Sequence, residues 1–272
     1  MTTVSHMDFT AARDLDEALE AKAASPESEL LAGGTDLMVE VNLAHHRPAS
    51  IISLRRVDEL RTIQPDRIGA GMTWAELERG SHMGLAQAAR TVGSPQIRAT
   101  GTLGGNIGTA SPAGDGLPWI AAANAAIAVQ SKARGERVIP WDEFFLGVKQ
   151  TALEPDEIIT AVVIPEDTPP TQAFAKVGTR NAMVISTVSC LVMRGSDGFR
   201  IALGSVAPTP IRVPRAEQAL NAERSPSQAT LEEVQRIVSE DVTPISDHRS
   251  TEGYRRHAAG VLAKRLVERC LA

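Results

Sequence analysis

The chain has 272 residues, a formal net charge of −5, 43% hydrophobic residues and 22% charged residues. This composition is typical of a soluble globular protein and excludes disorder, fibrous repeats and a strongly basic nucleic-acid-binding surface. Two cysteines, Cys190 and Cys270, are too few for an iron–sulfur cluster held by this chain alone, which needs about four thiolates. We expect a cytoplasmic chain, because no signal pattern opens it and no apolar run reaches the roughly 20 residues of a bilayer span.

Local patterns predict secondary structure along most of the chain. Thr73 and Glu76 form a capping box, and Gly195-Ser196-Asp197-Gly198 between two apolar runs predicts a β-hairpin. In chain order, the predicted elements of the first half are a helix from 14 to 25, a strand at 29–32, a helix from 37, a strand at 50–54 and helices at 73–80, 85–91 and 119–126. Strands at 138–140 and 158–164, a linker at 166–171, hairpin strands at 183–193 and 199–206, and helices at 216–221, 231–239 and from 250 to the end are predicted in the second half.

The segment Ala32-Gly33-Gly34-Thr35-Asp36 ends a predicted strand and starts a predicted helix. Backbone amides in such a turn are suited to bind a phosphate, and glycine permits the close approach and the positive φ that this requires. A plain strand-to-helix turn also explains the two glycines. This motif alone therefore leaves both interpretations open.

A second glycine-rich stretch runs from Ile97 to Asp115, with glycines at 101, 104, 105 and 108. It predicts irregular backbone in the middle of a domain. Ordering such backbone costs conformational free energy, and a bound ligand would compensate this cost. Its polar side chains are hydroxyls and amides rather than bases, at Thr102, Asn106, Thr109 and Ser111. The two stretches together suit the two ends of one long ligand with a pyrophosphate in its middle.

Familiar catalytic and nucleotide-binding motifs are missing: GxGxxG, GxxxxGK[ST], GxSxG and HExxH do not occur. Asp36 and Asp115 are the carboxylates of the two stretches, and each is expected to cap a helix, to contact a ligand, or both. Lys176 and Arg180 either form a solvated face or compensate negative charge on a ligand. A site for a large polar cofactor without acid–base groups fits electron transfer better than hydrolysis.

Matching segments extend over almost the whole chain: LAGGTDLMVEV at 31–41, IGAGMTWAELE at 68–78, IRATGTLGGNIGTASPAGDGLPWIAAANA at 97–125, FFLGVKQTALEPDEIITAVVIP at 144–165, KVGTRNAMVIS at 176–186, GSVAPTPIRVPRAEQAL at 204–220 and PISDHRSTEGYRRHAAGVLAKRL at 244–266. Together they resemble the FAD-binding medium subunit of the xanthine dehydrogenase family of molybdenum hydroxylases. The pairing of AGGTD with TLGGN and SPxxD is the most specific part of the resemblance.

The resemblance implies an α+β fold in three parts. A PCMH-like two-part FAD-binding region, with a small α/β unit at 1–57 and a larger α+β unit at 58–168, precedes a C-terminal antiparallel sheet with helices at 169–272. It implies no catalytic or metal-binding residue in this chain. The implied FAD-binding residues are Ala32, Gly33, Gly34, Thr35, Asp36 and Leu37 around the pyrophosphate, Thr102, Gly105, Asn106, Ser111 and Asp115 on the second side, and Lys176 near the flavin pyrimidine carbonyl.

The resemblance also implies partners and an activity. A large subunit would carry the molybdenum cofactor and a small subunit two [2Fe–2S] clusters, in a dimer of heterotrimers that oxidises a xanthine, an aldehyde or an N-heterocycle. Electrons would reach the FAD of this chain and leave to an external acceptor. A stand-alone flavin oxidase and a flavin-free scaffold are the alternatives. A basic stripe on the last helix is either a docking face or a solvated face: Arg255, Arg256, Lys264, Arg265 and Arg269.

Overall fold

The computed structural model describes residues 7–223 and 225–272 and confirms the α+β class. These residues form three main sheets and one short hairpin. The first sheet is parallel, and the other two are antiparallel. No helix among the described residues combines the length and the apolar character needed to cross a membrane.

The N-terminal sheet has the order β1-β3-β2, with all strands parallel. Its helix α1 begins where the sequence predicts, because the Asp14 side chain accepts a hydrogen bond from the Glu17 amide at 2.8 Å. Because parallel strands share a carboxyl edge, the glycine pair after β2 starts from the edge where such sheets bind ligands. The elements are β1 Asp8–Ala11, α1 Leu15–Ala24, β2 Glu29–Leu31, α2 Leu37–Asn42 and β3 Ser50–Ser53.

The middle region has an antiparallel sheet of order β4-β5-β10-β6-β7, with helices packed on it. The predicted capping box of Thr73 and Glu76 is confirmed at the start of α3. Its elements are a 3-10 turn Asp58–Leu60, β4 Ile63–Gln64, β5 Arg67–Gly69, α3 Trp74–Leu77, α4 Met83–Thr91, α5 Pro95–Thr100, α6 Leu103–Thr109, α7 Leu117–Ala122, β6 Ala126–Ser131, β7 Gly135–Pro140, α8 Trp141–Phe144, β8 Phe145–Gly147, β9 Gln150–Thr151 and β10 Ile158–Val163.

The C-terminal region has an antiparallel sheet of order β11-β12-β13-β14. The predicted hairpin is confirmed: Gly195 pairs with Gly198, whose φ of +114° requires glycine at the turn. The elements are β11 Thr171–Val177, β12 Val188–Gly195, β13 Gly198–Gly204, β14 Ile211–Arg212, α9 Pro214–Asn221, α10 Gln228–Asp241 and α11 Glu252–Leu271.

The C-terminal sheet is buried on both faces. One face contributes Phe174 and Leu191 to the same apolar core as Trp119 and Ile120 of α7, so the middle and C-terminal regions share one core. The opposite face packs against α9, α10 and α11 through a second core. Because they share this buried core, we expect the middle and C-terminal regions to unfold together rather than separately.

Two predictions are wrong. The basic residues of α11 do not form one exposed stripe, because the Arg255 guanidinium is buried and donates to Asp247 Oδ1 at 2.7 Å.

The stretch from Ile97 to Asp115 is largely helical rather than irregular, because it contains the end of α5 and all of α6. The Gly104 amide donates to the Ala70 carbonyl at 2.7 Å, and a Cβ on Gly104 would lie 2.6 Å from the Ala70 Cβ. Here glycine permits close packing against Ala70, the residue that follows β5, and needs no unusual φ.

Candidate functional site

The backbone from Gly33 to Leu37, named the amide segment below, leaves the carboxyl end of β2 and enters α2. Gly34 has φ +73°, and a Cβ on Gly33 would lie 2.0 Å from the Thr100 carbonyl oxygen, so the chain itself requires both glycines. Across residues 7–223 and 225–272, no acceptor pairs with the amides of this segment. Consecutive N–H groups that are partly exposed and unpaired are suited to bind an anion such as a diphosphate.

The start of α6 differs, because its first amides are already paired. The Leu103 amide donates to the Met72 carbonyl at 2.9 Å, and the Gly105 amide donates to the Thr102 hydroxyl at 3.0 Å. Thr102 is therefore the N-cap of α6, a role that occupies its hydroxyl. Any phosphate bound here would find its free amides on the amide segment and not on α6.

What α6 offers instead is a surface without side chains. Gly105 and Gly108 are exposed. A Cβ on Gly105 would meet the Thr102 Oγ1 alone, at 3.1 Å, and one on Gly108 would meet the Ile159 Cδ1 at 3.5 Å. Because packing within the chain does not demand these two glycines, the open surface fits an extended ligand lying against the helix backbone.

The amide segment and α6 lie side by side. The Thr109 hydroxyl donates to Asp36 Oδ2 at 3.2 Å, so a side chain at the end of α6 reaches the amide segment. Of the two roles considered for Asp36, the structure does not show the capping of α2, because its side chain makes no capping hydrogen bond. The contact with Thr109 instead ties the N-terminal unit to the middle region.

Two further predicted residues shape the backbone next to α6. Asn106 Oδ1 accepts from the Gly116 amide at 3.3 Å, which fixes the turn leading into α7. Ser111 Oγ accepts from the Ala113 amide at 3.3 Å within the same turn. Asn106 thereby links α6 to Asp115, the neighbour of Gly116. This hydrogen bond holds α6 next to the turn that contains the buried Asp115.

Asp115 and Lys176 form a buried ion pair, with 2.6 Å between Oδ2 and Nζ. Burial raises the pKa of Asp115, against the opposing effect of the Lys176 charge and of the Ser186 hydroxyl that donates to its other oxygen. The Lys176 ammonium also donates to the Thr91 and Val184 carbonyls, at 2.9 Å and 3.1 Å. All three of its N–H donors are therefore paired within the chain.

These contacts overturn two interpretations from the sequence. Lys176 does not lie on a solvated face, since only 9% of its side chain is exposed, whereas Arg180 is exposed and donates to the Ala182 carbonyl. Asp115 does not cap α7, because Gly116 holds the N-cap position. Its carboxylate instead orients the lysine.

Sequence reasoning missed Lys149, at the tip of the β8–β9 hairpin. Its Nζ lies 2.6 Å from Glu40 Oε1 of α2, and its amide donates to the Ala110 carbonyl at 3.1 Å. Glu40 is 109 residues away in the sequence, so no local pattern signals the pair. It forms a second link between the N-terminal unit and the middle region.

The described residues contain no group of three or more His, Cys, Asp or Glu side chains placed to hold a metal ion. The unpaired amides suit a diphosphate, and the exposed glycines of the neighbouring helix leave room for an extended ligand. The class is a cofactor-binding α+β protein, whose cofactor supplies the chemistry.

Comparison with known proteins identifies the cofactor. The family described as "FAD binding domain in molybdopterin dehydrogenase" matches residues 5–167, which is more than half of the chain. The family described as "CO dehydrogenase flavoprotein C-terminal domain" matches residues 173–270. The chain belongs to the FAD-binding subunits of the molybdopterin dehydrogenase family, which are parts of multi-subunit oxidoreductases. The resemblance seen in the sequence is thereby confirmed.

Individual relatives agree with this assignment. The chain is 33% identical to the xanthine dehydrogenase FAD-binding subunit of Escherichia coli O157:H7, over 96% of this chain and 94% of that protein. It is 30% identical to the carbon monoxide dehydrogenase medium chain of Hydrogenophaga pseudoflava, over 89% and 88% of the two chains. A solved structure of carbon monoxide dehydrogenase from that organism superposes with a TM-score of 0.88 at 29% identity, covering 97% of this chain and 96% of that chain.

Proposed function

We propose that this chain is the electron-transferring FAD subunit of a molybdenum hydroxylase. It would accept electrons from [2Fe–2S] clusters in a small partner subunit and pass them to an external acceptor, while a large partner carries the molybdenum cofactor and the substrate. The run of unpaired amides from Gly33 to Leu37, which the hydrogen bond between Asp36 and Thr109 links to α6, is the observation that carries the proposal.

The chain's own residues would bind and orient FAD, which supplies the electron-carrying ring. The amide segment suits the diphosphate because its N–H groups have no acceptor within the described residues. The exposed glycines of α6 leave room for the extended cofactor. The proposed contacts are Ala32, Gly33, Gly34, Thr35, Asp36 and Leu37 on one side, Thr102, Gly105, Asn106, Ser111 and Asp115 on the other, and Lys176 near the flavin ring.

Lys176 would act on the flavin from a fixed position. Its three hydrogen bonds hold the ammonium among Asp115, Thr91 and Val184. A fixed positive charge near the pyrimidine edge of the ring favours the reduced, anionic flavin. The proposed role is therefore electrostatic, since every donor of the ammonium is already paired.

The proposal extends to organisation and location. We place the domains at 1–57, 58–168 and 169–272, each built around one of the main sheets. The printed names of two relatives, "medium chain" of a carbon monoxide dehydrogenase and "medium subunit" of a nicotine 6-hydroxylase, support an assembly with larger and smaller subunits. A cytoplasmic dimer of heterotrimers is the proposed form.

The test is to purify the full chain both alone and together with its co-expressed partner subunits. We expect stoichiometric FAD on the chain alone and, in the assembly, FAD reduction when the molybdenum subunit receives substrate. A chain that binds no FAD, even after the cofactor is added, would support the flavin-free scaffold instead. A chain that oxidises small alcohols or aldehydes without partners would support a stand-alone oxidase.

A further inference from the structure

Lys149 is held at the edge of the proposed FAD site by its backbone. Its φ of +55° lies in the left-handed region that residues other than glycine rarely adopt, and its amide donates to the Ala110 carbonyl at the end of α6. Such a conformation persists only where the surrounding contacts determine it. The β8–β9 hairpin therefore presents this lysine at a defined place beside α6.

The Lys149 side chain crosses from the middle region to the N-terminal unit. Its Nζ contacts Glu40 Oε1 at 2.6 Å, one helical turn after the amide segment. The charges of Asp36 and Glu40 both act on it, in addition to the hydrogen bond with Glu40 that raises its pKa most strongly. The ammonium thus lies close to the segment whose amides are unpaired.

The pair between Lys149 and Glu40 is exposed, with 53% and 38% of the two side chains accessible to solvent. An exposed ion pair is weak, so the ammonium exchanges one anionic partner for another at little cost. A lysine has a flexible stem and three donors, and it binds phosphate as a point charge. A diphosphate on the amide segment would bring a stronger anion within its reach.

We propose that Lys149 is a ligand of the FAD diphosphate, which it contacts by moving from Glu40 to a phosphate oxygen. This inference rests on the proposed FAD site and adds to it a residue from the hairpin of the middle region. Glu40 then holds the ammonium near the site while FAD is absent. The diphosphate would be bound by neutral amides from the N-terminal unit and by one positive charge from the middle region.

The experiment titrates FAD into the flavin-free full chain at several salt concentrations. We expect Lys149→Gln to weaken FAD binding by about tenfold or more, as loss of a charge-assisted hydrogen bond predicts. The variant should also show a smaller dependence of affinity on salt, and Lys149→Arg should retain most of the wild-type affinity. The matched control is Lys132→Gln, whose ammonium pairs with Asp16 and Glu20 of α1, and it should bind FAD like the wild type.

The variant Glu40→Gln distinguishes two roles for Lys149: binding the diphosphate, or only linking the N-terminal unit to the middle region. If Lys149 binds the diphosphate, releasing it from Glu40 leaves FAD affinity unchanged or increases it. If the pair only joins the two regions, Glu40→Gln weakens FAD binding as much as Lys149→Gln does, which overturns the inference. Wild-type affinity in Lys149→Gln would overturn it as well, while FAD binding by the wild type would leave the proposed function intact.

Discussion

Asp115 and Lys176 are 61 residues apart in the sequence, yet they form an ion pair with only 7% and 9% of their side chains exposed. The pair joins the turn before α7 to strand β11, at the boundary where the middle and C-terminal regions share a core. Removing two charges from water is costly, so the surrounding hydrogen bonds from Ser186 and to Thr91 and Val184 are needed to hold it.

Lys176→Met should destabilise the fold, because it leaves the Asp115 carboxylate buried without a partner. We expect the free energy of unfolding to fall by about 3–5 kcal/mol, measured by urea denaturation of the flavin-free chain. The double variant Lys176→Met with Asp115→Asn should recover part of the loss, since the buried carboxylate is then gone. An unchanged denaturation midpoint in the single variant would show that the carboxylate is solvated and not held by the lysine.

Both cysteines should resist modification in the folded chain. Burial raises the pKa of Cys190, which is fully inaccessible, and raises that of Cys270 to about 11. Because the thiolate is the reactive form, a thiol reagent at about pH 8 should label neither residue until a denaturant unfolds the protein. Rapid labelling of native protein would contradict the packing of α11 against β12.

Local sequence patterns correctly predicted the elements that are determined by residues close together in the sequence. The capping box of Thr73 and Glu76 and the turn from Gly195 to Gly198 each act within four residues, and the structure confirms both. The stretch containing Gly104 was misjudged because its glycine serves a contact with Ala70, in the turn that follows β5. A run of glycines has the same appearance in a sequence whether it permits unusual φ or close packing.

Side chains paired over long distances were the hardest to predict. Arg255 has the spacing of a surface residue on a helix, but the fold buries it against Asp247 and the Thr187 carbonyl. Lys149 gives no signal, since its partner Glu40 lies on a different unit. The two glycine-rich stretches nevertheless contact each other in the structure, through the hydrogen bond from Thr109 to Asp36 and the close approach of Gly33 to Thr100.

Asp247 should make stability depend on pH in the acid range. Burial opposes its ionisation, but hydrogen bonds from Arg255 and from the backbone amides of Arg249 and Ser250 outweigh it, so its pKa lies well below the usual range. The unfolded chain then binds more protons below about pH 4, where Asp is normally half-protonated. The stability that this carboxylate contributes is present above that pH and is lost as the pH falls through its folded-state pKa.

The variant Asp247→Asn tests this contribution. At neutral pH it leaves Arg255 buried beside a neutral partner, and we expect it to lower the free energy of unfolding by about 3 kcal/mol. The difference between variant and wild type should shrink as the pH is lowered below about 4, because the unfolded wild-type chain then binds a proton at Asp247 that the folded chain does not, and this lowers the stability of the wild type. Denaturant titrations at a series of pH values measure the free energy of unfolding of both proteins. A difference between them that is independent of pH would contradict the assigned ion pair.

Gly104 and Gly105 are adjacent in α6 but should respond oppositely to substitution by alanine. A Cβ on Gly104 would lie 2.6 Å from the Ala70 Cβ and 2.8 Å from the Ala70 carbonyl oxygen. Gly104→Ala should therefore lower the free energy of unfolding by about 1–3 kcal/mol or more through overpacking. Gly105→Ala adds a methyl group on the exposed side, and alanine is favoured over glycine within a helix by about 0.8–1 kcal/mol. This variant should be at least as stable as the wild type.

The same Gly105→Ala variant tests whether the open surface of α6 binds FAD. Its methyl group would occupy space that the proposed site reserves for the cofactor, so we expect FAD affinity to fall by about tenfold, or about 1.4 kcal/mol. Gly253→Ala is the matched control, because Gly253 also lies in an exposed helical turn and a Cβ there meets nothing within 4 Å. Thermal unfolding and FAD titration of the three proteins separate stability from binding. A stable Gly105→Ala variant with wild-type affinity would show that FAD does not lie against this face of α6.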